Sequence, residues 1–436
     1  MRQRLAAACV LMLGAILLGA GGAYGTSPAA LPSESPDNSI TVVLLDTRGT
    51  EAGEPGTPVP DVDIEVSDDS GTVGEGTTDE EGRVSIPIPG LGSYTVTVDE
   101  DTLPEDTELS GEGGNERSVN VVISGDMRVQ FPIADERAAG AGFVSKLMTG
   151  AVSGIKFGLI IGLAALGLSM VFGTTGLTNF SHGELITFGG LVVYGFNRGL
   201  GLPVVVAGIL TVFVSAGFGW VQERGLWRPL RRRGTGLVAM MIVSIGFALF
   251  LRNVYQYVFG GTTKSLSQYV SQQRVSLGPV SLAPKEMAII AIALVAIALV
   301  CAALMTTRLG KATRAVADNP ALASSSGLRV DGIIGWVWII GTALTGLAGV
   351  LLAVDQQVEF QMGFKMLLLV FASVTLGGLG TIWGALIGSM VVGIMVEVSP
   401  VLGVPAELKY TPALLVLILI LLVRPQGILG RRERIG

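Results

Sequence analysis

The sequence has few of the residues on which most enzymes and disulfide-stabilised domains depend. Its 436 residues include two cysteines, one histidine and 6% aromatic residues. Cys9 and Cys301 both lie in apolar runs, so the acidic part of the chain has no cysteine with which to build a disulfide framework. We find no phosphate-binding loop, metal-ligand cluster or nucleophile-base pair in the sequence. We therefore predict no catalytic residue, no metal, no cofactor and no ATP hydrolysis by this chain.

Apolar residues and glycine are abundant instead. The chain is 50% hydrophobic, contains 61 glycines and has a mean hydropathy of +0.61. This composition indicates a polytopic membrane protein with closely packed helices. A soluble enzyme is disfavoured.

Charge divides the chain into two regions. Residues 38–135 hold 22 acidic and 4 basic residues, whereas residues 137–436 hold 10 acidic and 23 basic residues. A net charge of -6 conceals this asymmetry. The division predicts two domains in two environments.

The N-terminal segment has the layout of a secretory signal. Two arginines in the first four residues precede an apolar run over 5–20 and small residues up to Gly25. We predict a signal peptide over 1–25 and a Pro/Ser-rich linker over 26–39. The signal exports the domain that follows it, whether it is cleaved or is retained as a membrane anchor.

Residues 40–135 predict an extracytoplasmic all-β sandwich. Short β-branched runs lie between turn residues at 40–45, 62–66, 84–88, 94–98, 119–123 and 127–131. Apolar residues alternate with polar ones along 62–66 and 94–98, as in a strand with one buried face. Acidic residues around Asp68 and Asp79 suit a solvated surface better than a Ca²⁺ site, because they lack fixed ligand spacing.

Three motifs in this domain resemble the carboxypeptidase regulatory-like, or transthyretin-like, β-sandwich. They lie at 58–66, at 77–86 and at 92–98, where an aspartate-to-glycine turn and a glycine-to-tyrosine turn each lead into a strand. The resemblance covers about residues 40–100 and implies a binding or spacer domain.

After a second linker at 136–149, the chain predicts about nine spans. The apolar segments lie at 150–172, 183–196, 203–221, 236–258, 286–305, 331–353, 364–380, 381–398 and 410–423. Three of the connecting or terminal segments are rich in bases: 222–235 has five arginines, 306–331 has four bases, and the tail from Arg424 has four arginines. The positive-inside rule places these in the cytoplasm, with the N-terminus outside after signal cleavage and the C-terminus inside.

Glycine-rich interruptions at 173–183 and 377–384 predict broken helices. Such backbone is tolerated at membrane depth only where protein or a water-filled cavity covers it, so paired breaks indicate a translocation path. Tight hairpin loops at the inner surface are the alternative. The candidate path residues are Asn179, Ser181, His182, Gly183, Glu184, Gly377, Gly378 and Gly380.

His182 and Glu184 suggest either a proton relay or hydrogen-bonding groups that hold the unwound backbone; we favour the second for these and for Asn179 and Ser181. Other charges in or near the spans are Lys156, Arg252, Asp355, Glu359, Lys365 and Glu397. All but Arg252 and Glu397 are close enough to a predicted span end to reach water by extending their side chains.

The polar segment 306–331 interrupts two long apolar runs. Alanine and leucine content predicts short helices at 313–317 and 320–325, with Pro320 at a helix start and Gly327 at a stop. An exposed small-residue helix between spans is a surface that a partner protein can bind. Composition alone equally allows an ordinary solvated loop.

The ordered motifs of the C-terminal part resemble the branched-chain amino acid ABC importer permease family, the LivH type. They are the run Gly158 to Glu184, the loops at 223–230 and 308–327, the glycines at 376–384, and the ending 424–429. The resemblance covers about residues 150–430, leaving 431–436 as a cytoplasmic tail.

This resemblance implies a plasma- or inner-membrane subunit that works with a second permease as a heterodimer, ATP-binding subunits and an extracytoplasmic solute-binding protein. It implies contact with lipid but not with nucleic acid, and ATP bound by the partners. The ATPase-coupling residues it implies are Arg308, Lys311, Arg314, Asp318, Ala323 and Gly327. Typical members lack the β domain.

Three alternatives stay open. The wider family includes permeases for urea and short amides. An ion-coupled transporter or channel would need a responsive acid or base, for which Glu184 and His182 are the adjacent candidates. A surface receptor or adhesin would make the β domain the working part, although nine crossings exceed what anchoring requires.

Overall fold

The computed structural model describes residues 38–46, 57–68, 71–90, 92–104, 108–109, 115–121, 126–134, 143–269, 275–277, 280–405, 408–423 and 427–429. The predicted signal peptide, most of the two linkers and the predicted cytoplasmic tail lie outside these residues. The chain forms two compact units, residues 24–145 and a helical unit from Lys146 to Gly436.

The N-terminal unit consists of two β-sheets. Its strands are β1 (Asn38–Asp46), β2 (Thr57–Pro58), β3 (Asp63–Asp68), β4 (Gly71–Thr77), β5 (Arg83–Ile88), β6 (Gly92–Val98), β7 (Glu108–Leu109), β8 (Glu116–Val121) and β9 (Asp126–Ala134). One sheet has the order β2-β1-β9-β7, with β5 also paired to β1, and the other has the order β4-β3-β6-β8. The β1–β9 pair is parallel and the remaining pairs are antiparallel.

Both sheets contribute to one hydrophobic core. Ile40, Val42 and Leu44 of the first sheet are fully buried, as are Val96 and Val98 of the second. The alternation predicted along 62–66 and 94–98 is confirmed, because every second residue points into this core. Asp79 Oδ1 accepts hydrogen bonds from the backbone N–H groups of Glu81 and Arg83, both at 2.9 Å, so Asp79 stabilises the turn before β5.

Strand β4 was not predicted, because its sequence Gly-Thr-Val-Gly-Glu-Gly-Thr reads as a loop. The structure supplies a reason for its glycines. A methyl group added at Gly74 or Gly76 would lie 2.7 Å from the side chain of Ile86 or Val84, respectively. Small residues therefore let β4 close over the side chains of β5, which belongs to the other sheet.

The second unit is helical, apart from the hairpin of β10 (Val275–Leu277) and β11 (Val280–Leu282). Its helices are α1 (Phe143–Thr175), α2 (His182–Tyr194), α3 (Val204–Gln222), α4 (Arg228–Arg232), α5 (Leu237–Phe259), α6 (Pro284–Thr306), α7 (Arg308–Asp318), α8 (Pro320–Ser325), α9 (Val330–Asp355), α10 (Met362–Gly377), α11 (Ile382–Val398) and α12 (Thr411–Val423).

Each predicted span overlaps a helix of the described structure. Five helical stretches are long and apolar enough to cross a membrane. One is the continuous stretch from the start of α3 to the end of α4, and the other four are the single helices α1, α5, α6 and α9. Three shorter apolar helices lie at Met362–Gly377, Ile382–Val398 and Thr411–Ile420. The protein is thus a polytopic helical membrane protein with an N-terminal β-sheet unit.

Glycines bring the helix backbones into contact, as composition predicted. A methyl group at Gly154 of α1 would lie 2.6 Å from Cα of Ile394 in α11, and one at Gly167 would lie 2.5 Å from the carbonyl oxygen of Gly341 in α9. Helix α1 lies at the centre of the helical unit, and 89% of its most apolar 18-residue stretch is buried. Small residues are required at these crossings because no space exists for a side chain.

Candidate functional site

An extended segment at 176–181 separates α1 from α2. Asn179 Oδ1 accepts hydrogen bonds from the Ser181 backbone N–H at 3.1 Å and from Ser181 Oγ at 2.6 Å. The Phe180 N–H donates to Ser244 Oγ of α5 at 3.0 Å. These bonds hold the interrupted backbone at 179–181 in place.

His182, the first residue of α2, connects three helices. Its Nε2 lies 2.9 Å from the carbonyl oxygen of Ala164 in α1 and 3.1 Å from Thr345 Oγ1 in α9. Since a carbonyl only accepts, Nε2 carries the proton. The Thr345 hydroxyl donates to Gly341 O at 2.7 Å. The ring is 1% exposed, and Nδ1 has no hydrogen-bond partner among the described residues.

Glu184 forms an ion pair with Arg252 of α5. Arg252 Nε and Nη2 donate to Glu184 Oε1 at 3.1 and 2.9 Å. The guanidinium carbon lies 4.0 Å from the ring centroid of Phe364 in α10, which is a close cation–π contact. The position of Arg252 within its predicted span was ambiguous from the sequence. In the structure, its guanidinium lies against the first turn of α2.

A second interruption, at 356–361, separates α9 from α10; the sequence predicted a connection between two spans here but not its contact with the start of α2. The N-termini of α2 and α10 meet: a methyl group at Gly183 would lie 2.5 Å from the carbonyl oxygen of Gly363, and the Gly363 N–H donates to Thr187 Oγ1 at 3.0 Å. Each N-terminus carries the positive end of a helix dipole. The polar run from Asp355 to Gln361 was the available signal.

Gly377, Gly378 and Gly380 occupy a different place. They form the turn between α10 and α11, where Gly378 and Gly380 have φ of 113° and 76°. A methyl group at Gly173, near the end of α1, would lie 3.4 Å from the carbonyl oxygen of Gly380. The 16 residues of α10 span roughly 24 Å, so this turn lies at the opposite end of α10 from the contact between Gly183 and Gly363.

A buried ionic cluster corrects the expectation for Lys156 and Asp355. Lys156 Nζ lies 2.7 Å from Glu286 Oε1 and 2.5 Å from Asp355 Oδ1, and the three side chains are 6–9% exposed. They therefore do not extend into water. Glu286 Oε2 also accepts from the Ala283 N–H at 2.9 Å. The cluster joins α1, the first turn of α6 and the last turn of α9.

The polar segment between α6 and α9 folds into two helices. Helix α8 has the predicted bounds, whereas α7 is longer than predicted, since Thr307 Oγ1 caps it by accepting from the Gly310 N–H at 3.0 Å. Asn319 Oδ1 caps α8 by accepting from Leu322 N–H at 3.0 Å. Gly327 ends this segment with φ of 85°, a conformation that glycine favours.

The side chains of this segment divide by exposure. Arg308, Lys311, Arg314 and Asp318 are exposed, as is Gly327. Ala323 is 5% exposed and packs within a core cluster of its own chain, so its side chain faces inward. Leu322 is 64% exposed and presents the large apolar surface of α8, which sequence analysis missed.

An arginine cluster lies beside the start of α9. Arg228 Nε and Arg232 Nη2 donate to Asp331 Oδ2 at 3.1 and 3.0 Å. Arg231 Nη1 and Nη2 donate to Glu223 Oε2 and Oε1, at 3.0 and 2.5 Å respectively. The cluster fastens α4 to the junction between the polar segment and α9.

Two short apolar helices that start at backbone interruptions beside buried polar side chains define a membrane transport protein. The family model described as branched-chain amino acid transport system / permease component matches residues 150–422. The chain belongs to this family, and it is a multi-pass inner-membrane permease subunit.

Three similar proteins are named as permeases of branched-chain amino acid transport. The high-affinity branched-chain amino acid transport system permease protein LivH of Escherichia coli (strain K12) is 31% identical over 299 residues, covering 64% of this chain and 94% of the relative. BraD of Pseudomonas aeruginosa is 30% identical over 297 residues, covering 65% and 95%. The probable LivH of Methanocaldococcus jannaschii is 29% identical over 295 residues, covering 63% and 90%.

The similarity of this chain to a solved structure is weaker than its similarity to these relatives. The minor pilin GBS52 of Streptococcus agalactiae is 14% identical and covers 23% of this chain and 45% of its own, with a TM-score of 0.19.

Proposed function

We propose that this chain imports branched-chain amino acids as one permease of an ABC importer. It pairs with a second permease, two ATP-binding subunits and an extracytoplasmic solute-binding protein. The named relatives at about 30% identity support this substrate class. ATP is bound by the partner subunits, and this chain contributes no catalytic group.

The topology we propose has nine crossings, with the β-sheet unit outside and the C-terminus inside. Residues 1–25 form the signal and 26–39 a linker, 40–135 form the exported β domain, 136–149 a second linker, 150–430 the permease and 431–436 a cytoplasmic tail. The basic segments at 222–235 and 306–331 support this orientation. The β domain is of the carboxypeptidase regulatory-like type.

The segment α7–α8 docks on the ATP-binding subunit. The observation that carries this proposal is the exposed apolar side chain of Leu322, 64% exposed on a capped helix between α6 and α9. A single exposed apolar side chain is common on protein surfaces; it supports docking here because it lies on a capped helix between two apolar spans, where a partner protein can bind it. Arg308, Lys311, Arg314 and Asp318 are exposed on the preceding helix α7 and offer charged groups to the same partner.

Movement of this segment reaches the transport path through both flanking helices. Helix α6 ends one residue before α7, and Asp331 in the first turn of α9 is bound by Arg228 and Arg232. ATP binding closes the partner dimer and displaces α7–α8. Helices α6 and α9 then reorient the solute path, which we place past residues 179–184 and, at the other end of α10, residues 377–380, so that solute moves inward by alternating access.

The experiment is co-purification of the ATP-binding subunit with Leu322→Glu. We expect loss of the partner with normal membrane insertion, because a buried unpaired carboxylate disrupts an apolar contact. Leu429→Glu is the matched control, since Leu429 is also exposed but lies in the C-terminal segment. Normal co-purification of Leu322→Glu rejects the coupling assignment, and solute accumulation by the lone chain in liposomes rejects an ATP-driven importer.

A further inference from the structure

Arg252 stands out because it is a charged residue far from both ends of an apolar helix. It lies about 22 Å from the first residue of α5 and about 10 Å from the last, given 23 residues at about 1.5 Å each. Its head cannot extend to the helix end, because Nε and Nη2 are both bound to Glu184 Oε1. Nevertheless, 19% of the side chain is exposed. A guanidinium exposed at this depth is unfavourable in lipid.

The surface beside Arg252 is polar as well. Asn253 is exposed, and Gln256 is exposed one turn further along α5. Elsewhere the exposed faces are apolar: Val205, Ile209 and Phe213 on α3, and Ile292, Val295 and Leu299 on α6. Lipid therefore suits the faces of α3 and α6. On α5, Arg252 and Asn253 lie beside the exposed apolar side chains of Leu249 and Phe250, so this face suits a ligand that has a polar and an apolar part.

The groups around Arg252 match an aliphatic amino acid. Among the described residues its hydrogen bonds use Nε and Nη2, which leaves the two N–H groups of Nη1 for a ligand. Phe364, whose ring lies under the guanidinium, is 46% exposed, and Leu249, one turn before Arg252 on α5, is 51% exposed. A guanidinium beside apolar side chains recognises a carboxylate attached to an aliphatic group.

Two polar atoms at the start of α2, one of them on the carboxylate that binds Arg252, are buried without a hydrogen-bond partner in the described structure. Asn179 Nδ2 and Glu184 Oε2 are buried without a hydrogen-bond partner among the described residues, and both residues are at most 1% exposed. They lie at the N-terminus of α2, which carries positive dipole charge. Orphaned buried groups are rare in folded proteins unless a ligand or water binds them in another state.

We propose that Arg252 contacts the carboxylate of the transported amino acid on the solute path, and that Glu184 positions its guanidinium. This inference rests on the proposed function and names the residue that recognises the solute. Arg252 presents Nη1 to the passing carboxylate, while Glu184 keeps the charge in place between solutes. The solute's aliphatic side chain lies against Phe364.

The first test neutralises the ion pair in the assembled importer. Arg252→Gln alone leaves Glu184 without its cation, so both assembly and leucine uptake fall. In the double variant Glu184→Gln with Arg252→Gln, we expect assembly to return while uptake stays at least about tenfold below wild type, the effect of one lost charge-assisted hydrogen bond. Restored uptake in the double variant overturns the proposal, because the pair would then be structural.

Arg252→Lys covers the case in which the double variant does not assemble. Lysine keeps the pair with Glu184 but cannot present a second pair of N–H groups. We expect the KM for leucine uptake to rise about tenfold. The matched control is Arg224→Lys, because Arg224 stacks on Trp220 at 5.0 Å without an acidic partner in the described structure; its KM should stay within about twofold. An unchanged KM for Arg252→Lys overturns the proposal.

A second measurement tests whether the face of α5 that carries Asn253 is reached by water and by the solute. With Cys9 and Cys301 both replaced by serine, we expect Asn253→Cys to react with a membrane-impermeant methanethiosulfonate and leucine to slow the reaction. Val295→Cys on α6, 58% exposed, should not react. Lack of reaction at Asn253→Cys both with and without ATP rejects a solute path along α5.

Wild-type uptake separates this inference from the proposed function. A wild-type importer that takes up neither leucine, isoleucine nor valine rejects the proposed substrate class. Wild-type uptake of leucine together with an unchanged KM for Arg252→Lys rejects only the role of Arg252.

Discussion

Gly183 and Gly363 lie in backbone contact where two short helices begin. Helix α2 follows the extended segment after α1, and α10 follows the segment after α9, so the two interruptions are brought together by their N-terminal ends. Side chains have no room at this contact. The pairing explains why each helix can begin inside the unit, since the Gly363 N–H finds a partner in Thr187.

Replacing Gly363 with alanine should destabilise the protein. The added methyl group would collide with the carbonyl group of Gly183 and with Thr187 Oγ1 at 2.6 Å, so the helices must separate. We expect a loss of about 1–3 kcal/mol in stability, the usual cost of overpacking. Thermal unfolding of the detergent-solubilised protein measures this change.

Gly246→Ala is the matched control for that substitution. Gly246 lies within α5 and has nothing within 4 Å of an added methyl group. Alanine favours helix over glycine by about 0.5–1 kcal/mol, so this variant should be as stable as wild type or slightly more stable. Equal unfolding temperatures for the two variants would contradict the close contact.

Removing Lys156 should be more costly than removing an exposed lysine. Lys156→Met leaves the carboxylates of Glu286 and Asp355 buried without their cation, and breaking a buried ion pair costs about 3–5 kcal/mol. Lys365→Met is the control, because Lys365 is 58% exposed and its pair with Glu359 contributes at most about 1 kcal/mol.

The charges of the cluster can also be removed together. Lys156→Met combined with Glu286→Gln and Asp355→Asn should recover most of the lost stability, since no uncompensated charge remains buried. A triple variant as unstable as Lys156→Met would show that shape, not charge, determines stability at this site.

His182→Gln should leave the pH dependence of uptake unchanged. The glutamine amide replaces the Nε2–H donor to Ala164 and Thr345, which is the only bonded function that the ring has in the described structure. If the ring carried a transported proton, uptake by wild type and variant would diverge between about pH 5 and pH 8, where histidine titrates. Uptake measured across that range decides between the two roles.

Much of this fold was predictable because it depends on local patterns. Alternation along 62–66 and 94–98 predicted buried strand faces, and Pro320 and Gly327 predicted the bounds of α8. The apolar runs predicted where helices form. Each of these signals lies within a few residues of the feature it determines.

The site was less predictable because it depends on partners distant in sequence. Lys156 lies near a predicted span end, and only the fold shows that Glu286 and Asp355 surround it. The burial of Ala323 and exposure of Leu322 depend on how α8 packs against its own chain. A six-residue helix is too short for periodicity to distinguish its two faces.

Removing residues 40–135 while keeping the export signal should leave at least part of the uptake. The β-sheet unit has its own core, and the core clusters of the helical unit contain none of its residues. Val96→Asp places an unpaired carboxylate in the fully buried core of that unit and serves as a second way to disable it. Uptake of radiolabelled leucine by cells expressing the complete importer measures both variants. If the β domain were a receptor on which activity depends, both changes would abolish uptake; if it is a spacer or tether, both should reduce uptake without abolishing it.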